Sequence, residues 1–324
     1  MSELQYTKLG GLKTSDEQIA TPQTYFIKLH NYLPNKTKGG ITPRGGSSTW
    51  SHTGNIWGIS GYKKRGSSLK IPFTDIPVRY RRNGSTNYIE KLDWSTDTWS
   101  AVTQGASTSF DIGANSSFAQ IADSFAIAAG RPAVITDISA GNVNRLGGPA
   151  PTAAPGNSTA AGSLTGRFVY VYTFYDSTTG WESSPSPATG IITVAAQDIT
   201  LTGLEVTCAR EGVDKKRIYR TVSTGESPYL RVTEVTLATT TYADSTADAS
   251  LGADAPDAND HDPPPTDCYI IDAHEGRFWC ASGRDLYYSL AYDGTDKVLE
   301  YFSPFRKMTF TQTITGLRSL ESGG

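Results

Sequence analysis

The residues best suited to chemistry in this chain are its cations. Between Lys36 and Lys91 eleven lysines and arginines are opposed only by Asp75 and Glu90, a local charge of +9 in a chain of net charge −3. The densest groups are Lys63-Lys64-Arg65 and the trio Arg79, Arg81 and Arg82, with Trp57, Tyr62 and Tyr80 interleaved. Such charge attracts a polyanion like DNA whatever its base sequence. The same residues would serve as a solvated face, or as a basic surface docking on an acidic neighbouring subunit.

No residue set reads as catalytic. A Ser-His-Asp arrangement needs one of only four histidines (His30, His52, His261, His274), and no G-x-S-x-G turn accompanies them. Asp257, Asn259, Asp260, His261 and Asp262 suggest a metal loop, but against a calcium-binding EF-hand, counting from Asp257 puts Asp262 where glycine is needed and Cys268 where the bidentate glutamate belongs. The glycine-rich run Gly39–Ser48 lacks the Gly-Lys-Ser/Thr ending of a phosphate cradle. Paired carboxylates for glycoside hydrolysis are set by spatial separation, so a glycosidase stays open as a rival without a named pair. A glycan-binding module is a second rival, with Trp94, Trp99 and Trp181 stacking on sugars. The expectation is a protein that is not an enzyme, with no catalytic, cofactor or metal residue assigned.

The three cysteines, Cys208, Cys268 and Cys280, suit a reducing compartment. If Glu275-Gly276 is a two-residue hairpin turn, Cys280 falls opposite Ile271, three positions from Cys268. At the extended-strand rise that offset is about 10 Å, too far for a disulfide, so free thiols are expected. The N-terminus has no apolar run resembling a signal peptide, and no segment is apolar for the length of a bilayer span. Maturation in a cytoplasm is the corresponding expectation.

The elements that must position these residues read as strands. Gly 32 and Pro 17 suit many short strands joined by tight turns. The run Phe168–Tyr175 is apolar or aromatic on both faces, as in a central strand of a sandwich. Further strands are expected at 191–194, 199–204, 216–221, 229–235, 239–242, 269–273, 277–281 and 286–290, and one from Met308 to Leu317. One short helix is plausible over Ser116–Phe125, against a rival strand over Asp123–Ile127. Turn dipeptides such as Asn83-Gly84 and Glu275-Gly276 separate the runs.

Two composition breaks divide the chain. Gly147–Gly162 is small and polar, where little can be buried, and Asp244–Thr266 is acidic and ends near Pro263-Pro264-Pro265, an extended spacer. They delimit an N-terminal propeller-like segment (1–148), an immunoglobulin- or fibronectin-like sandwich (149–253), an acidic Pro-rich linker (254–265) and a second propeller-like segment (266–324). The sandwich shows six strand signals and needs a further strand hidden in a break. After the strand that ends at Leu317, Leu320-Glu321-Ser322-Gly323-Gly324 opens a turn with nothing after it, so either a neighbouring chain completes the sheet or, as the favoured expectation, the chain is a fragment with an incomplete blade.

Four stretches go beyond pattern. The first is Gly10-Gly11-Leu12-Lys13-Thr14 with Gly39-Gly40-Ile41-Thr42-Pro43-Arg44-Gly45-Gly46. Phe118-Ala119-Gln120 with Ala128-Ala129-Gly130-Arg131-Pro132-Ala133-Val134 and Pro149-Ala150-Pro151-Thr152 form the second. The third joins Tyr172-Thr173-Phe174-Tyr175, Glu182-Ser183-Ser184-Pro185-Ser186-Pro187, Lys216-Arg217-Ile218-Tyr219-Arg220-Thr221 and Thr241-Tyr242-Ala243-Asp244. The fourth runs from Gly276-Arg277-Phe278-Trp279 to Leu286-Tyr287-Tyr288-Ser289.

In these stretches the sequence resembles the tail nozzle or tail-tube proteins of short-tailed bacteriophages. The resemblance implies an all-β fold, a β-propeller interrupted by an immunoglobulin- or fibronectin-like domain. It also implies a virion structural protein, assembled in the host cytoplasm as a homo-oligomeric ring, expected to be a hexamer, around the DNA ejection channel. Head-tail adaptor or connector proteins and tail fibre or spike proteins would be its neighbours. A channel through which DNA slides should not grip it, so Lys63, Lys64, Arg65, Arg79, Arg81 and Arg82 are expected to line a channel or a subunit interface rather than form a tight site.

Overall fold

The computed structural model describes residues 32–34, 41–43, 55–63, 75–83, 86–93, 96, 98–104, 117–128, 133–135 and 142–318. The chain divides into two compact units, Met1–Thr53 with Leu320–Gly324, and Gly54–Ser319. In the first, β1 (Tyr32–Pro34) and β2 (Ile41–Pro43) pair antiparallel through Leu33↔Thr42.

The second unit is built from sheets. Strand makes up 47% of the protein and there is no α-helix among the described residues, so sheet faces must supply the core; none of the sheets closes into a barrel. Strands β3 (Asn55–Lys63), β4 (Asp75–Asn83), β5 (Thr86–Asp93) and β6 (Thr98–Ala101) form an antiparallel meander in that order. β7 (Thr103–Gln104) then runs parallel to the outer edge of a second meander. That meander comprises β8 (Ser117–Ile121), β9 (Ser124–Ala128), β10 (Ala133–Ile135) and β11 (Asn142–Arg145). Of the two readings of this region the strand holds: Phe118 and Phe125 sit on hairpin strands joined by a turn in which Ala122 has φ +50°.

Two three-stranded sheets follow. β12 (Gly156–Phe168), β14 (Ile192–Thr202) and β17 (Tyr242–Asp244) make one, in the order β12-β14-β17. β13 (Tyr170–Tyr175), β15 (Lys215–Arg220) and β16 (Leu230–Thr236) make the other. Their facing residues Phe168, Tyr170, Tyr172, Ile192, Val194, Ile199, Leu201 and Ile218 form one buried cluster. The apolar run expected as a single strand changes sheets at Val169, so Phe168 ends β12 while Tyr170 begins β13. The hidden strand is β12, whose glycine, alanine, serine and threonine residues carry no apolar alternation.

The last sheet is a third meander, β18 (Ile270–His274), β19 (Arg277–Ser282), β20 (Asp285–Tyr288) and β21 (Lys307–Thr309). Its first hairpin has the register read from the sequence, Ile271↔Cys280 and His274↔Arg277. Glu275 and Gly276 both take positive φ, as a two-residue turn of matching twist requires.

The three meanders stack through their faces. Val78, Tyr80 and Ile89 of the first cluster with Phe125, Ile127 and Val143 of the second. The opposite face of the second offers Ala119, Ala126 and Ala128 to Ile271, Phe278 and Cys280 of the third. The side-chain period of two makes this possible, since alternate residues of β9 serve opposite neighbours. Strand β8 lies beside both β3 and β18.

Four expectations are corrected. Cys268 and Cys280 are joined in a disulfide, Cα to Cα 5.9 Å; Cys208 is free. The strand spacing did not apply, because Cys268 lies before β18 in a turn closed by its own N–H to the Pro265 carbonyl, 3.2 Å. The first composition break, where little burial was expected, does hold some: Gly147, Gly148, Pro151 and Pro155 are buried, while Gly156–Gly162 are exposed. The acidic stretch is not a free spacer, for Asp262 bridges to Phe302 and Pro264 is buried. The strand expected over Met308–Leu317 is only Lys307–Thr309.

Candidate functional site: a basic sheet and a buried arginine clamp

Strand β4 alternates. Val78 and Tyr80 enter the core, and Arg79 and Arg81 project from the other face, where cross-strand partners are Glu90 and Tyr88 of β5. Glu90 accepts from Arg79 Nε at 2.5 Å and from Arg81 Nη2 at 2.7 Å. The Arg79 guanidinium lies 4.1 Å from the Trp99 ring, and that of Arg81 lies 4.4 Å from Tyr88. Arg79 is 3% exposed and Glu90 is 6% exposed, so both charges have left bulk water and persist because they meet. Burial pushes the Glu90 carboxyl up, but the hydrogen bonds and charges of Arg81 and Arg79 together hold it below its ordinary value.

The six expected site residues are therefore not one set. Arg79 is enclosed in the sheet's own ion-pair cluster, and Arg81 shares its carboxylate. Lys63 ends β3 opposite Asp75, and Arg82 stands on β4 opposite Asn87. Lys64 and Arg65 lie outside the described residues.

A second arginine, not singled out by the sequence, joins three parts of the chain. Arg210, in the segment between β14 and β15, donates from Nε and Nη2 to the two oxygens of Glu300 at 2.8 and 2.9 Å. Its Nη1 donates to Asp176 Oδ2 at 3.0 Å, and its guanidinium lies 4.6 Å from the Trp181 ring. Glu300 closes a 3₁₀ turn (Asp296–Glu300) and also accepts from Gly147 N at 3.0 Å. Asp176 in turn fixes its own loop through Thr178 N and the Thr179 hydroxyl. Burial would lower the Arg210 pKa, yet the Glu300 and Asp176 carboxylates more than reverse this and hold it charged. Two glycines admit the cluster: a Cβ on Gly148 would stand 2.7 Å from Trp181, and one on Gly147 (φ +72°) 2.7 Å from the Glu300 carbonyl.

Beside the clamp, Glu182 gathers Thr173 Oγ1 at 2.6 Å, Tyr219 OH at 2.5 Å and Arg217 Nη1 at 2.7 Å. Its backbone N–H donates to the Tyr301 hydroxyl at 3.0 Å. His261, from the supposed spacer, stacks on Tyr301 with centroids 3.7 Å apart and rings inclined by 3°. Its Nδ1 is 3.0 Å from the Glu182 carbonyl, and its backbone N–H donates to Ser184 Oγ. Burial lowers the His261 pKa, partly offset by that carbonyl and by Asp260. His274 stands at the hairpin turn, where the sequence put it.

The buried carboxylates Glu90, Asp176, Glu182, Asp244 and Glu300 are each taken up by an arginine. Trp181 is fully buried beneath Arg210 and offers no sugar-stacking face; Trp99 underlies Arg79, and Trp94 lies outside the described residues. Among the described residues no three His, Cys, Asp or Glu side chains are grouped to hold a metal ion, and no helix is long and apolar enough to cross a membrane. Comparison with protein-family models gives no match, and comparison with curated proteins gives no significant relative.

Proposed function

We propose that this chain is a structural protein of a bacteriophage tail, a nozzle or tail-tube component whose meanders are propeller blades and whose inserted sheets are an immunoglobulin- or fibronectin-like domain. The observation that carries the reading is the stacking of three antiparallel meanders, the second extended by β7, with β8 beside both β3 and β18. Blades of a propeller are such meanders, arranged so that successive first strands surround a common axis. The insert leaves and re-enters between the second and third meanders and is tied down there by Arg210, Glu300, Asp176 and Gly147. A part that must keep a channel open under load needs that kind of fixed junction more than it needs a reactive group.

In this reading the protein assembles in the host cytoplasm as a homo-oligomeric ring, a hexamer on the resemblance noted above. The ring joins the head-tail connector to distal fibres or spikes and passes the ejected DNA. Arg79 is committed to Glu90, and Arg81 shares that carboxylate, so Arg79 is withdrawn from the cations proposed for the channel or a subunit interface. Mass spectrometry of purified particles tests the assignment. The chain should be present in stoichiometric copies in intact virions and missing from heads that lack tails; recovery from infected cells but never from particles would refute it.

A further inference from the structure

The two sheets of the sandwich have four edges, and the chain treats one differently. An open edge presents unpaired N–H and C=O groups and invites another strand, so folded proteins cover, charge or shorten their edges. The edge of β13 is strapped by residues 182–189. Ser183, Ser186 and Thr189 each donate a backbone N–H to it, to the carbonyls of Phe174, Tyr172 and Tyr170. Their hydroxyls accept from the N–H groups of the same three residues, at 2.9, 3.1 and 2.9 Å. The edge of β16 carries Arg231 and Glu234 and is overlain at Tyr229–Arg231 by residues 252–255. β17 is three residues long.

β12 has none of these devices over its first half. Gly156–Ser163 are exposed without interruption, and the first charged residue of the strand is Arg167. There the chain does cover the edge, through Arg167 N to the Ser223 carbonyl and a bridge to Thr224. Its inner side is laddered to β14 without interruption from Gly156↔Thr202 to Ala161↔Gln197, so the strand is held extended there; the register shifts only beyond Ala161.

We infer that the open edge at Gly156–Ala161 is an association surface, and that its partner is the same edge of a second copy of this chain, paired antiparallel about a two-fold axis near Thr159. Charge selects the partner. In a two-fold pairing each side chain lies opposite a residue of its own strand, Asn157 against Ala161 and Ser158 against Ala160, so any net charge would repel itself. Asn157, Ser158, Thr159, Ala160 and Ala161 carry none. A partner of different sequence is usually selected by opposite charge at the rim, for which this edge offers no complement. Pairing of about six residues buries well under the ~1,200 Å² of a free-standing stable interface, so the contact is concentration-dependent. The inference does not rest on the tail assignment; beside a ring of copies, such a two-fold contact would join one ring to another and not neighbours within a ring.

Sedimentation of the full chain, up to about 1 mM so that even a millimolar dissociation constant is visible, tests it with two double variants. N157K/A161K sets lysine against lysine across the axis; N157K/A161E sets lysine against glutamate. All four side chains project from exposed positions, and an unchanged circular dichroism spectrum verifies the fold. Wild type and N157K/A161E should share one association step, and N157K/A161K should lose it by at least tenfold in dissociation constant. A wild-type chain lacking any association step, or a doubled-lysine variant that associates as the wild type does, would overturn the inference.

Discussion

Arg210 and Glu300, 90 residues apart in the chain, meet through two parallel hydrogen bonds inside the protein, at 2.8 and 2.9 Å. A planar guanidinium matches a carboxylate in this way only when both are held in one orientation. Here Trp181, Asp176 and Gly147 impose that orientation. The inserted sandwich and the third meander thus share one electrostatic joint.

Removing one partner of that joint should cost far more than a surface pair would. Glu300→Gln leaves the buried guanidinium with Asp176 as its one remaining carboxylate and breaks the two-oxygen pairing, for which about 3 kcal/mol of lost stability is expected. Chemical denaturation should show a shifted midpoint for Glu300→Gln and for Arg210→Met. The double variant should lose much less than the sum, because the two changes remove one interaction.

The glycine at the joint makes a steric prediction. Gly148→Ala places a methyl group 2.7 Å from both Trp181 and the Arg210 side chain. Overpacking of this kind costs about 2 kcal/mol. Gly190, with nothing within 4 Å of an added Cβ, is the control; its alanine variant should stay within about 0.5 kcal/mol of wild type. Thermal unfolding distinguishes the two.

How much of this was legible follows from where the information lies. The Glu275-Gly276 hairpin and its register were readable because the turn dipeptide and the alternation are local. β12 was not, since Asn157 to Gly162 alternate nothing. The joint was not either, because Gly147, Asp176, Arg210 and Glu300 are brought together by the stacking of sheets. Arg79 was read as surface charge for a related reason: a strand's period tells which residues share a face, but not that Glu90 and Trp99 will close over it. The disulfide was missed at one turn, where the chain bends at Pro265 instead of running straight into β18. The strap was the missed local signal, since Ser183, Ser186 and Thr189 repeat every third residue, the period of an extended polyproline-like strand.

His261 gives the protein an acid-sensitive side. Its pKa is lowered in the fold by burial, so between that value and the unfolded value of about 6.5 the unfolded chain binds the extra proton. Stability should be constant with respect to this group above pH 7.5 or so, and should fall as pH drops below ~6.5. His261→Asn, which keeps a donor for the Glu182 carbonyl, should flatten that dependence at a constant cost from the lost stack on Tyr301. Unfolding curves between pH 5 and 7.5 check this. Glu90, whose carboxyl is held low, adds its own loss only further into acid.

Thiol counting tests the cysteine assignment. The unfolded, unreduced chain should bind one equivalent of a thiol reagent, at Cys208, and two more after reduction, at Cys268 and Cys280. In the folded protein burial pushes the Cys208 thiol up to about 11, so labelling at neutral pH should be slow and should accelerate on unfolding. Three rapidly labelled thiols in the unreduced chain would remove the disulfide.

The account as a whole depends on stacked meanders forming the wall of a tail. Electron cryomicroscopy of intact particles measures this directly. Density for this chain should lie in the tail, as a ring of copies whose meanders carry β3, β8 and β18 side by side. Density at a particle surface away from the tail axis, or a copy whose three meanders separate from one another, would contradict it.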